Sequence, residues 1–513
     1  MAFAQDSYVF TQEGTMVGFA HISDHCIARS GGAGRRHFVT VATLTMLLLM
    51  LVPSQAHAQQ VPLAGLITDL FDRSTINAPS TATGVPIQHY GHFIVGENLK
   101  LTTREVNLAI ASQVATFPIP SSSGGFTFSV NDRGEVTPTS TNFGPLFAER
   151  AVTIGRKQFN VGFSFQSTSF SSFEGVDLDS GELSFIREHN DCCPAGANNP
   201  PSVTNFTPEF ERDLLRSKLR ASIDTNTTAF FANYGLTDRF DVGFAIPIVH
   251  VEIDASVDSE ILRMADQSVN NPFIHSFHGT GDATETLSAR GSASGLGDVL
   301  LRAKYNFART PTTAFAAALD LRLPTGDKDN LLGSGATQTK LFFVGSGEYG
   351  RFNPHVNFGY TFSSGDASEL AITYSLDPSQ LAAVGVGATP NNVDLSVSDE
   401  VNYVFGLSFA PTSRVTLGFD LHGRTMLDVP RFSLQDNSYI NRATGTPPTN
   451  PHVERNEFSV ESPSGNLNLL LGVLGGKINL GGAFLLNVTV LFQMNDEGLK
   501  AKPTPVIGFD YVF

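Results

Sequence analysis

Asp420, His422 and Arg424 follow one another at intervals of two in the run Val415–Arg424. On an extended chain that spacing sets a carboxylate, an imidazole and a guanidinium on one face. Such a set could move protons, or activate a nucleophile if a serine met the histidine. No strand-to-helix nucleophile elbow accompanies them. A hydrolase built into a membrane wall would carry His and Ser on the lipid-facing side, where no outward pair stands out. Arg302, Lys304, Asp320 and Arg322 show the same interval of two on neighbouring segments. All seven read better as polar residues lining a wet interior than as catalysts, so neither an enzyme nor a cofactor is expected. Leu323–Asn330 carries carboxylates at calcium-like spacing but lacks the distal glutamate of a calcium loop, and Pro-Thr-Gly-Asp is ordinary turn chemistry. Cys192 and Cys193 are adjacent in a polar stretch. A vicinal disulfide or a loop staple suits them in an exported chain, whereas zinc would need a second ligand pair. Pro247 interrupts the stripe Phe244–Ile248 and withholds a ladder hydrogen bond, which predicts a bulge or kink and offers a break in a wall.

These residues need strands to hold them, and strands dominate the chain. Phe240, Val242, Phe244, Ile246 and Ile248 oppose Asp241, Gly243 and Ala245. The same period of two recurs at 159–166, 299–307, 315–323, 356–363, 401–409, 415–424 and 478–493. A second face carrying Arg302, Lys304, Asp320 and Arg322 would be costly in a dry core but fits a lumen. Short turns at Arg156-Lys157, Thr237-Asp238, 308–312, 351–354, 411–414 and Gly475-Gly476 alternate with long polar segments near 169–210, 263–294, 367–397 and 430–454. That asymmetry describes a transmembrane antiparallel β-barrel of the bacterial outer membrane. Pairing across the short turns gives thirteen strands beginning at 149–155, and an even count adds Gly124–Val130, for about fourteen. The chain closes on Val506–Phe513, where Phe509, Tyr511 and Phe513 share the outward face with Ile507 and form a C-terminal assembly signal.

Arg35-Arg36-His37, the apolar run Phe38–Val52 and Ser54–Gln59 describe a secretory signal peptide cleaved after Ala58. Residues 1–58 are therefore set apart as an N-terminal extension and signal. Their removal takes three Arg and three Asp/Glu and leaves the net charge of -16 unchanged. The acidic balance excludes a nucleic-acid partner, and a mean hydropathy of -0.01 excludes a bundle of membrane helices. Residues 59–123 lack strand periodicity and read as a plug within the lumen of the 124–513 barrel. An unplugged barrel of this width would be a sizeable pore.

Gly295–Tyr305 followed by Leu321–Asp327 resembles the family of barrels labelled as a putative MetA-pathway of phenol degradation. Phe143–Ala151 and Thr504–Gly508 resemble its members too. That family is similar to FadL-type transporters of hydrophobic compounds, which implies fourteen strands and an amino-terminal hatch. The Asn-Pro-Ala hatch motif of those transporters is not found in 59–123, so no ligand residue is carried over. The expectation is passive uptake of small hydrophobic or aromatic compounds through a plugged barrel. A general or polar-solute porin, and a structural or adhesive surface barrel, are the alternatives. Expected partners are outer-membrane lipid, the barrel-assembly machinery and a small hydrophobic ligand.

Overall fold

Twelve strands form the wall: β1 (Phe159–Phe173), β2 (Leu214–Thr237), β3 (Phe240–Leu262), β4 (Val299–Arg309), β5 (Thr313–Leu323) and β6 (Thr337–Gly347), then β7 (Phe352–Ser364), β8 (Glu400–Thr412), β9 (Val415–Tyr439), β10 (His452–Gly481), β11 (Phe484–Gln493) and β12 (Thr504–Val512). Each pairs antiparallel with the next, and β12 returns to β1, so the sheet closes without an edge. The computed structural model describes residues 62–79, 86–88, 93, 106–107, 109–110, 112–113, 128–130, 136–138, 142–188, 213–264, 275–367, 395–439 and 452–512. All of them belong to one unit, Val61–Phe513. The signal segment, Cys192, Cys193 and Phe513 lie outside the described residues.

The ring of twelve corrects the expected fourteen. Phe128–Val130 pairs with Val136–Pro138 in a separate hairpin, and residues 149–155 form no strand. The last strand therefore closes on β1, with Phe509 opposite Phe163 and their rings 5.4 Å apart. The β10–β11 turn is also misplaced in the sequence reading. It falls at Gly482-Ala483, with Gly481 and Gly482 at φ 143° and 56°. Gly475 and Gly476 lie inside the ladder instead, where a Cβ on Gly475 would run into β11.

Along the wall Phe244, Leu301, Phe343, Phe358, Phe405 and Ile507 point outward and are exposed, while their strand neighbours are largely covered. A belt of exposed Phe and Leu around a closed barrel is a surface for lipid. Among the described residues no helix is long and apolar enough to cross a membrane, and the strands cross it. About ten residues span the apolar core. β2, β3, β9 and β10 have 24, 23, 25 and 30 and stand far beyond it. On β3 the apolar stripe changes phase at this boundary. Outward Phe244 and Ile248 give way to inward Val249, Val251, Ile253, Ala255 and Val257, and the outward positions become His250, Glu252 and Asp254. Below the boundary the outside is greasy; above it the inside is.

That inward apolar surface is filled. Helix α1 (Leu66–Asp72) has Leu66, Ile67, Leu70 and Phe71 on one face, and these pack with Val251, Ile253, Val257, Phe185 and Phe458. It docks against the strand Thr284–Leu296 over Gly291, whose Cβ would lie 2.6 Å from a Leu66 methyl. The 263–294 segment, read as a loop, thus contains a strand. It pairs with β3 through residues 248–260 and runs on through Gly297-Asp298 into β4, which takes β3 residues 240–245. Pro247 stands at that hand-over, and its carbonyl accepts from the Gly297 N–H at 2.8 Å.

Candidate functional site

Residues 142–155 cross the lumen in the half with short turns, buried almost throughout, as an extended strap without a ladder of its own. A chain in a lumen must satisfy its N–H groups from the wall, and inward side chains do so. Thr416 Oγ1 accepts from Phe143 N at 2.9 Å. Asp420 Oδ2 accepts from Phe147 N and Ala148 N at 2.7 and 2.9 Å. Asn357 exchanges two bonds with the Glu149 backbone, Ser346 takes Ala151 N, and Asp241 takes Ile154 N. The strap is stitched to β9, β7, β6 and β3.

Its Glu149 carboxylate is 3% exposed and holds the centre of a charge cluster. Lys304 Nζ donates to Oε1 at 2.7 Å and Arg302 Nη1 to Oε2 at 2.8 Å. Arg302 also grips both Asp320 oxygens at 2.6 Å, a two-pronged pairing. Arg424 pairs with Glu400 on the adjacent strand, and His422 Nε2 lies 3.9 Å from Asp420. The seven polar residues singled out in the sequence thus all face inward, as Pro247 does, whereas Phe509 and Tyr511 face outward. Sequence reasoning missed Glu149, taken for a strand residue. It also missed Lys340, Phe342 and Glu400, whose strands it found without reading their inward phase.

Between the strap and the apolar cap lies a cavity of about 280 Å³. Arg302, Asp320, Arg322, Lys340, Glu400, His422 and Arg424 line one side, and Phe147, Leu469, Leu471 and Leu491 the other. Phe342 faces the cavity with Lys340 Nζ 5.0 Å and the Arg302 guanidinium 5.6 Å from its ring centre.

Two further sequence candidates resolve differently. In the 323–330 turn Asp327 accepts from Asp329 N, Asn330 N and Asn330 Nδ2, which closes it as a side-chain-capped turn. Among the described residues no group of three or more His, Cys, Asp or Glu is placed to hold a metal. An outward His–Ser pair does exist, contrary to the sequence reading. His250 Nδ1 and Ser294 Oγ are 2.7 Å apart across the β3 ladder. It was overlooked because Ser294 was assigned to a loop, where no facing can be read.

Fold and site together define a membrane-spanning barrel that is closed at one end by a strap and filled at the other by an apolar cap. Residues 202–420 match the family described as "Putative MetA-pathway of phenol degradation". The resemblance read from Gly295–Tyr305 and Leu321–Asp327 therefore holds over the segment that carries those motifs. No curated protein matches the chain. Among solved structures, an outer membrane channel from Pseudomonas putida F1 is 12% identical, covering 71% of this chain and 98% of its own (TM-score 0.37). The Ralstonia pickettii toluene transporter TbuX is 12% identical, with 70% and 90% covered (TM-score 0.28). A Pseudomonas aeruginosa FadL homologue is 10% identical, with 70% and 91% covered (TM-score 0.27).

Proposed function

We propose that this chain is an outer-membrane channel for passive uptake of small hydrophobic or aromatic compounds, exported by a signal cleaved after Ala58. The short turns then face the periplasm and the long strands stand outside the cell. The observation that carries this reading is the cavity, apolar on one side, between two obstructions. A pore for ions and sugars would leave a continuous water path, whereas this lumen offers a pocket that favours a desolvated guest. Residues 59–123 belong to the cap in this reading, and α1 is its anchored portion. A ligand enters through the cap, rests in the cavity and leaves when the strap yields. Outer-membrane lipid and the barrel-assembly machinery, which reads Phe509, Tyr511 and Phe513, are its other partners.

Conductance in planar bilayers tests the reading. The wild-type protein should show no large stable opening. Glu149→Gln removes the anion shared by Arg302 and Lys304 and should raise the frequency of openings severalfold. A steady open pore in the wild type, unchanged in the variant, would favour a polar-solute porin instead.

A further inference from the structure

We infer that the guest of this cavity is an aromatic carboxylate, a single ring on a short arm that ends in an anion. The inference rests on the channel reading above and narrows its cargo.

Both Asp320 oxygens accept from Arg302, and Glu149 takes a second donor of Arg302 together with Lys304. Arg424 is matched by Glu400. Lys340 sits directly across the β5–β6 ladder from Asp320, yet it makes no hydrogen bond or ion pair among the described residues, because Asp320 is already engaged. Arg322 gives one N–H to the Gln338 side-chain oxygen at 2.8 Å and meets no carboxylate. Two cations on neighbouring strands thus border the cavity with no carboxylate in direct contact, Asp320 and Glu400 acting on them only from a distance.

In a lumen partly shut off from bulk water that arrangement is costly unless a counter-charge arrives. A neutral hydrocarbon would displace water from both cations and give nothing back. A carboxylate would accept from Lys340 and the free edge of Arg322 at once, a geometry suited to a guanidinium. The remainder of the guest is set by the opposite side. Leu469, Leu471 and Leu491 form an apolar wall there with the Phe147 ring, and the Phe342 ring beside Lys340 offers an edge to another ring. Size supplies the last limit. A dry cavity of about 150 Å³ takes benzene, and this one, at about 280 Å³, takes one ring and a few more atoms but crowds a long acyl chain.

Calorimetric titration of the refolded, detergent-solubilised full-length mature chain tests this. The probes are 3-phenylpropionate, its neutral amide and dodecanoate. Phenylpropionate should bind at least tenfold more tightly than either other probe. Lys340→Gln and Arg322→Gln should each erase most of that preference, and Lys340→Arg should retain it. Heat-modifiable migration on gels identifies folded variants. Equal affinity for the amide, or tighter binding of dodecanoate, overturns the aromatic carboxylate and leaves the channel reading standing. Absence of binding by all three overturns both.

Discussion

Asp298 has both carboxylate oxygens in use where β4 begins. It accepts from Gly326 N at 3.0 Å and from Ser334 N and Oγ at 2.8 Å, and it is 2% exposed. Thr325 Oγ1 meanwhile bonds Gly297 O, so the two motif segments around 297 and 326 form one clamp beside Pro247. Their sequence resemblance to a family thus reflects structure at this place. Asp298→Ala leaves the Gly326 and Ser334 N–H groups without their acceptor. A loss of about 2–4 kcal/mol follows from the cost of unmet buried groups, and should lower the temperature at which the folded barrel converts on gels. Unchanged migration would show that the clamp is dispensable. At this scale legibility depends on strands. Arg302, Lys304, Asp320, Arg322, Asp420, His422 and Arg424 could be assigned a face because alternation fixes it. Glu149 could not, since a strap held by side chains has no period.

Among the elements, the strap and the protruding strands were the hardest to read. Residues 149–155 look like a strand because Ala151, Val152 and Ile154 follow a short charged start, but the Glu149, Ala151 and Ile154 N–H partners are side chains of the wall. The protruding halves were obscured by the phase change on β3 at Ile248 and Val249. A continuous strand reverses its apolar face where lipid outside gives way to water, and a search for one unbroken stripe stops there. The same extension carries a titrating device. Arg431 donates to both Glu174 oxygens at 3.1 and 3.0 Å, yet burial pushes the Glu174 carboxyl above its ordinary range. A group whose folded pKa is raised holds its proton more tightly when folded. Its contribution is present below the unfolded value and fades as pH rises through the folded one. Thermal midpoints measured from pH 4.5 upward should therefore fall more steeply for the wild type than for Glu174→Gln. Parallel curves would contradict this placement.

For the whole molecule, closure was legible and size was not. The aromatic stripe at the carboxyl end marked a seam, and the seam exists between β12 and β1. An even strand number could not choose between twelve and fourteen, and the tally took two lumenal or peripheral segments into the wall. The smaller ring matters for function: a narrower lumen lets a single strap span it, with the cavity above. On the channel reading, a guest crosses this barrel only when the strap yields. Ala151 N lies 2.9 Å from Ser346 Oγ, so Ala151→Cys with Ser346→Cys can tie the strap to β6. In liposomes holding the oxidised double variant, uptake of a labelled aromatic compound should fall at least tenfold below the wild type and recover on reduction. Uptake that is indifferent to the tether would contradict the account, because the guest would then have a route that bypasses the strap.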